Sequence, residues 1–139
     1  MLKTILVALD SSDLSEEVIQ TLRELQLQPA TKIILSNVLP PRSTDLEIAA
    51  DRPGFAEEPY RQVEKQLQAY QAELSCQSEL EIVTGDPAEE IIRLANIYQA
   101  DLIVLGSRGL TGMNRILQGS VSSQVVADAP CSVLVVKPR

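Results

Sequence analysis

Five short runs rich in Ile, Val and Leu, at residues 5–9, 32–39, 80–84, 102–105 and 132–136, constrain the fold of this chain more than any other feature. The runs are continuously apolar rather than alternating. A strand needs that pattern when both of its faces are covered, and two covered faces are the mark of a parallel sheet. Between the runs, Leu14, Val18, Leu22 and Leu25 fall on one face at helical spacing, as do Val63, Leu67, Tyr70 and Leu74. Asp13 with Glu16 three residues on makes a capping pair for the first helix. In Asp86-Pro87-Ala88-Glu89, Asp86 can cap, Pro87 takes the first helical position and Glu89 can close the box over Ile91, Ile92 and Ala95. A last helix is expected over about residues 120–127, ending before Pro130. Strict alternation of strands and helices implies βαβ crossovers, and hence an α/β fold: an open five-stranded parallel sheet with helices on both faces.

The 139 residues, 45% hydrophobic, suit a single domain over 1–139. Residues 40–59 break the rhythm with Pro40, Pro41, Pro53, Gly54 and Pro59, and read as a mobile loop between the second strand and the second helix. Twelve Lys plus Arg against 19 Asp plus Glu give a net charge of −7, which argues against nonspecific nucleic-acid or anionic-membrane binding. The four aromatics, Phe55, Tyr60, Tyr70 and Tyr98, offer little material for a base-stacking platform. Histidine is absent, which removes imidazole acid–base chemistry, Ser/His and Cys/His nucleophile pairs and His-ligated zinc. Cys76 and Cys131 make neither a disulfide framework nor a CxxC pair, so a reducing compartment fits. The apolar opening meets Asp10 too early for a signal-peptide core, and no run is long enough to span a bilayer; a cytoplasmic location is expected.

In an open parallel sheet, ligands bind beyond the carboxyl ends of the strands where strand order reverses. The most informative of those ends is the fourth. Gly106, Gly109 and Gly112, half of the six glycines, follow the fourth strand within seven residues, and Gly119-Ser120 follows ten positions after Gly109. Glycine lets an anion approach main-chain N–H groups without meeting a Cβ. Ser120 and Ser122 add hydroxyls near the expected start of the last helix, where free N–H groups favour a phosphate. From 102 to 127 there is no Asp or Glu, although Arg108 and Arg115 are present. A phosphate cradle is the simplest reading, with ligand-free turns as the alternative. The spacing is neither Gly-x-Gly-x-x-Gly nor a Walker A sequence, since no Gly precedes a Lys. Asp10, ending the first strand, could accept from a ribose hydroxyl or help hold a phosphate-bound Mg2+; it could equally be a turn residue.

These pieces resemble the universal stress protein family over essentially the whole chain. The resemblance rests on Ile5-Leu6-Val7-Ala8-Leu9-Asp10, on Gly85-Asp86-Pro87-Ala88, on Ala129-Pro130-Cys131-Ser132-Val133-Leu134-Val135-Val136, and on Gly106-x2-Gly109-x9-Gly119-Ser120. The last is the spacing of the family's ATP-binding branch. The resemblance implies an adenine-nucleotide α-hydrolase-like sheet of order 3-2-1-4-5, with ATP across the ends of the first and fourth strands. By the same resemblance Gly106, Gly109, Gly119, Ser120 and Ser122 would hold the phosphates, with Val121 contributing backbone. Asp10 would face the ribose and phosphates; Ala8, Val38 and Leu105 would line the adenine and ribose end, Val38 through its main chain. The family also suggests a homodimer through residues 132–136, an apolar edge strand with unpaired backbone groups. Cys131 reads as a small buried hydrophobe rather than a reactive thiol.

The function implied is an ATP-binding switch or binding module in stress response, with at most slow hydrolysis, because only Asp10 and Arg115 are candidates for acting at a γ-phosphate. The alternative is a dimeric interaction or chaperone-like protein that binds AMP, a cyclic nucleotide or no nucleotide. An adenylyl transferase or pyrophosphatase would need His-containing or Ser-Gly-Gly signatures that this chain lacks.

Overall fold

A computed structural model describes residues 2–10, 14–40, 58–107 and 115–138. Strands β1 (Thr4–Leu9), β2 (Lys32–Leu39), β3 (Gln77–Thr84), β4 (Leu102–Gly106) and β5 (Ser132–Val136) form one sheet of order β3-β2-β1-β4-β5. All four neighbouring pairs are parallel, as the continuous apolar runs require. The connecting helices are α1 (Leu14–Glu24), α2 (Glu58–Glu73), α3 (Pro87–Tyr98) and α4 (Arg115–Asp128). Most of the loop expected over 40–59, and Asp13 of the first capping pair, lie outside the described residues.

Side chains alternate across the sheet and feed two cores. On one face Ile5, Val7, Leu9, Ile33, Leu35 and Val104 pack with Val18, Ile19 and Leu22 of α1 and Val63, Leu67 and Tyr70 of α2. On the other, Leu6, Ile34, Ile103 and Leu105 pack with Ala88, Ile91, Leu94 and Ala95 of α3 and Val125 of α4. The central strand β1 is sealed on both sides, with Ile5, Leu6 and Val7 fully buried. Burying each such side chain stabilises the fold by about 1.5–3 kcal/mol, which is why the sheet forms the rigid floor on which any site must rest.

Two boundaries differ from the sequence reading. β3 begins at Gln77, not at Leu80. Its first half is polar because β3 is an edge strand and its charges have partners: Glu79 pairs with Lys32 at 3.0 Å, and the Tyr98 hydroxyl donates to Glu81. The last helix starts at Arg115, about five residues before the expected position. Ile116, Leu117 and Gln118 tolerate helix well, and a single Gly119 inside is a weaker breaker than its pairing with Ser120 suggests. The start of α3 is as expected: the Asp86 carboxylate accepts from the Glu89 N–H at 3.0 Å, with Pro87 just inside the helix.

Candidate functional site

Strand order reverses at β1. The chain leaves β1 through α1 towards β2 and β3, then returns through α3 to place β4 and β5 on the other side. α1 lies on one face and α4 on the other. The connections that leave the carboxyl ends of β1 and β4 therefore diverge, and a crevice opens between those ends.

The structure brings four of the expected residues together at that crevice. Ala8 and Leu105 are cross-strand partners on β1 and β4. Val38, two residues beyond that level on β2, and Val121 of α4 belong to the same apolar cluster as both. Leu105 is buried, whereas Ala8, Val38 and Val121 keep part of their surface open. Partly open apolar side chains at a switch point are the kind of surface on which a flat aromatic ring can rest.

The rim is polar and pinned by main-chain bonds. Asp10, partly exposed, follows β1, and its carbonyl accepts from the buried Ser15 hydroxyl at 2.6 Å, which ties the end of β1 to the first turn of α1. Gly106 closes β4 opposite Val136, and the next amide, Ser107 N–H, donates to the Val136 carbonyl at 2.8 Å. The main chain at Gly106 is thus held by β5 on the side away from the crevice. Gly109 lies outside the described residues, as do Arg108 and Gly112.

Gly119, Ser120, Val121 and Ser122 all fall in α4. Because that helix already runs from Arg115, the N–H groups of 119–122 lie inside the helical ladder. The positive end of α4 therefore sits one turn earlier than the sequence suggested. It carries no acidic residue in its first turn, in keeping with the carboxylate-free stretch 102–127.

Three features near the crevice add to the sequence reading, the last two not singled out by it. Gly85, at φ +152°, donates its N–H to the Leu39 carbonyl at 3.0 Å and ties the β3–α3 turn to the end of β2, beside Val38. Ser36 is fully buried and donates to the Val7 carbonyl at 2.8 Å, and Asn37 is buried next to it. Two consecutive polar residues inside the apolar run 32–39 were the available signal for the last two. Away from the crevice, burial pushes the Cys131 thiol pKa up, which suits a packing role rather than a thiolate. Among the described residues no three Cys, Asp or Glu side chains converge as a metal site, and no helix is long and apolar enough to cross a membrane.

An open, all-parallel, doubly wound sheet with an apolar floor and a pinned glycine at its switch point defines the class of α/β domains that bind ligands at strand ends. Within that class, the model of the universal stress protein family matches residues 1–137, and the chain belongs to that family. The universal stress protein Sll1388 of Synechocystis is 34% identical over 150 aligned positions, covering 96% of each chain. Among solved structures, protein MJ0577 of Methanocaldococcus jannaschii superposes with a TM-score of 0.86 at 27% identity, covering 100% of this chain and 98% of its own. A universal stress protein solved in complex with cAMP superposes at a TM-score of 0.69 and 25% identity, covering 98% and 97%.

Proposed function

We propose that this protein binds an adenine nucleotide, ATP, in the crevice between the carboxyl ends of β1 and β4 and acts as a nucleotide-dependent module in stress response. The observation that supports the reading is the pairing of Ala8 with Leu105 at the switch point, in an apolar cluster that also includes Val38 and Val121, beside a segment without a carboxylate. The adenine ring stacks over that floor, with the Val38 main chain at its edge, and Asp10 faces the ribose. The phosphates lie towards Gly106, Gly109 and the α4 end of the site, where Gly119, Ser120 and Ser122 complete the cradle with the free amides at the helix start. A Mg2+ ion enters with the phosphates, Asp10 being the carboxylate placed to help hold it. Asp10 and Arg115 are the only candidates for transition-state groups, so hydrolysis is at most slow.

The cAMP complex of a relative supports a second reading, in which a cyclic nucleotide or AMP takes the same floor. We further propose a homodimer through β5, whose outer edge has no strand beside it in the sheet. Mass spectrometry of small molecules released from the purified protein separates these readings. Adenosine polyphosphate supports the first, cAMP or AMP the second, and protein that neither carries nor takes up any adenine nucleotide overturns both.

A further inference from the structure

Four polar side chains are buried among the described residues: Ser15, Thr31, Ser36 and Asn37. The first three are accounted for. Ser15 donates to the Asp10 carbonyl at 2.6 Å, Thr31 to that of Leu2 at 2.9 Å and Ser36 to that of Val7 at 2.8 Å. The Asn37 carboxamide, in a residue only 5% exposed, has no hydrogen-bond partner among the described residues. A buried amide left this way costs stability that Val or Leu at the same place would not, and amides in such positions characteristically bind an internal water.

Its surroundings say what that water would serve. Asn37 is the cross-strand partner of Leu9 on one side and of Ile82 on the other. Alternation from Ile33 and Leu35 puts it on the α1–α2 face, at the carboxyl end of β2. Asp10 follows Leu9 directly, and its charge is felt at the Tyr70 hydroxyl, a group of that same face. Asn37 and Asp10 thus stand at neighbouring backbone positions, at the carboxyl ends of β2 and β1 on the rim of the crevice.

We propose that Asn37 is a positioning residue for Asp10: its carboxamide N–H donates to an enclosed water, which in turn donates to the Asp10 carboxylate and holds it towards the ribose hydroxyls of the bound nucleotide. The proposal rests on the nucleotide reading above, in which Asp10 faces the ribose. It explains why a core position of β2 keeps an amide where an aliphatic side chain would pack without loss. With the water in place, the carboxylate is already oriented when the ribose arrives.

The test is calorimetric titration of wild type, Asn37→Val and Asn37→Thr with ATP, 2′-deoxy-ATP and 3′-deoxy-ATP. Val and Thr have one shape and differ by a hydroxyl, and Asn37→Leu is a second apolar variant should Val impair folding. Wild type is expected to prefer ATP over at least one deoxy analogue by about tenfold, the worth of one hydrogen bond to a charged group. Val or Leu should bring that ratio to within about twofold, and Thr should restore part of it. A role in packing alone would weaken all three ligands alike and leave the ratio untouched. A preference that survives in the Val and Leu variants overturns the role of Asn37 and leaves nucleotide binding standing. Wild type that binds all three equally refutes the Asp10–ribose contact and this proposal with it. Wild type that binds none of them overturns the nucleotide reading itself.

Discussion

Replacing Gly85 by Ala probes the turn that secures the end of β2 beside the candidate adenine floor. Gly85 sits at φ +152°, a region that L residues rarely adopt, and forcing one there costs about 1–3 kcal/mol. A Cβ would also stand 3.0 Å from Glu90 Cγ and 3.4 Å from its Cδ. Glu90 can swing aside, but only by leaving Arg93, with which it pairs at 2.8 Å. That pair is an exposed contact one helical turn apart and adds little, so the backbone term should dominate. With an unfolding entropy of roughly 2.1 cal/mol/K per residue over 139 residues, each kcal/mol shifts Tm by about 3–4 °C. Gly85→Ala is therefore expected to melt about 3–10 °C below wild type in a calorimetric scan. The same loss should persist in a Glu90→Ala background, where the side chain in the way has been removed. A Gly85→Ala protein that melts with wild type refutes the conformational argument, and a loss that disappears in the Glu90→Ala background assigns the cost to the side-chain contact instead.

Two further outcomes concern charge. Asp101 accepts from the Lys3 and Thr4 N–H groups at 2.9 and 3.0 Å, and these bonds, the one from Thr4 foremost, lower its pKa. A lowered carboxylate pKa contributes stability above the unfolded value and loses it as pH falls through the folded one. Asp101→Ala should thus destabilise at neutral pH, with the gap to wild type closing in acid; melting curves across pH check this, and a constant gap contradicts it. The Tyr98 hydroxyl, held by its hydrogen bond to Glu81 and then by burial, has its pKa pushed up to about 12. Its contribution is complete below the ordinary tyrosine value and fades as pH rises through the folded one. Ultraviolet titration should show one tyrosine ionising near 12 that vanishes in Tyr98→Phe, and the same late phase in that variant would show another tyrosine to be responsible.

How much of this was legible beforehand depends on where each residue finds its partner. Strands β1, β2, β4 and β5 announce themselves because the side chains on both of their faces pack against the two cores, so apolarity alone marks them. The first half of β3 does not, because Glu79 and Glu81 are made acceptable by Lys32 and Tyr98, partners distant in sequence. Ala8, Val38 and Leu105 were named together only through the resemblance to the family; in the structure the strand period of two puts all three on the same face of the sheet. The start of α4 was hidden behind Gly119-Ser120, a pair that reads as a helix beginning and lies one turn inside. Asn37 was masked by the apolar run around it; its significance lies in what its amide lacks, which composition cannot express.

The central claim, that the β1–β4 crevice holds an adenine nucleotide by its phosphates, is tested most directly by titrating ATP into wild type and Gly119→Val in a calorimeter. Wild type should bind one ATP per chain. Gly119→Val, melting normally, should lose at least about tenfold in affinity, because under the proposed reading a branched side chain at that position would intrude on the phosphates. Equal affinity in the two proteins would contradict the phosphate cradle.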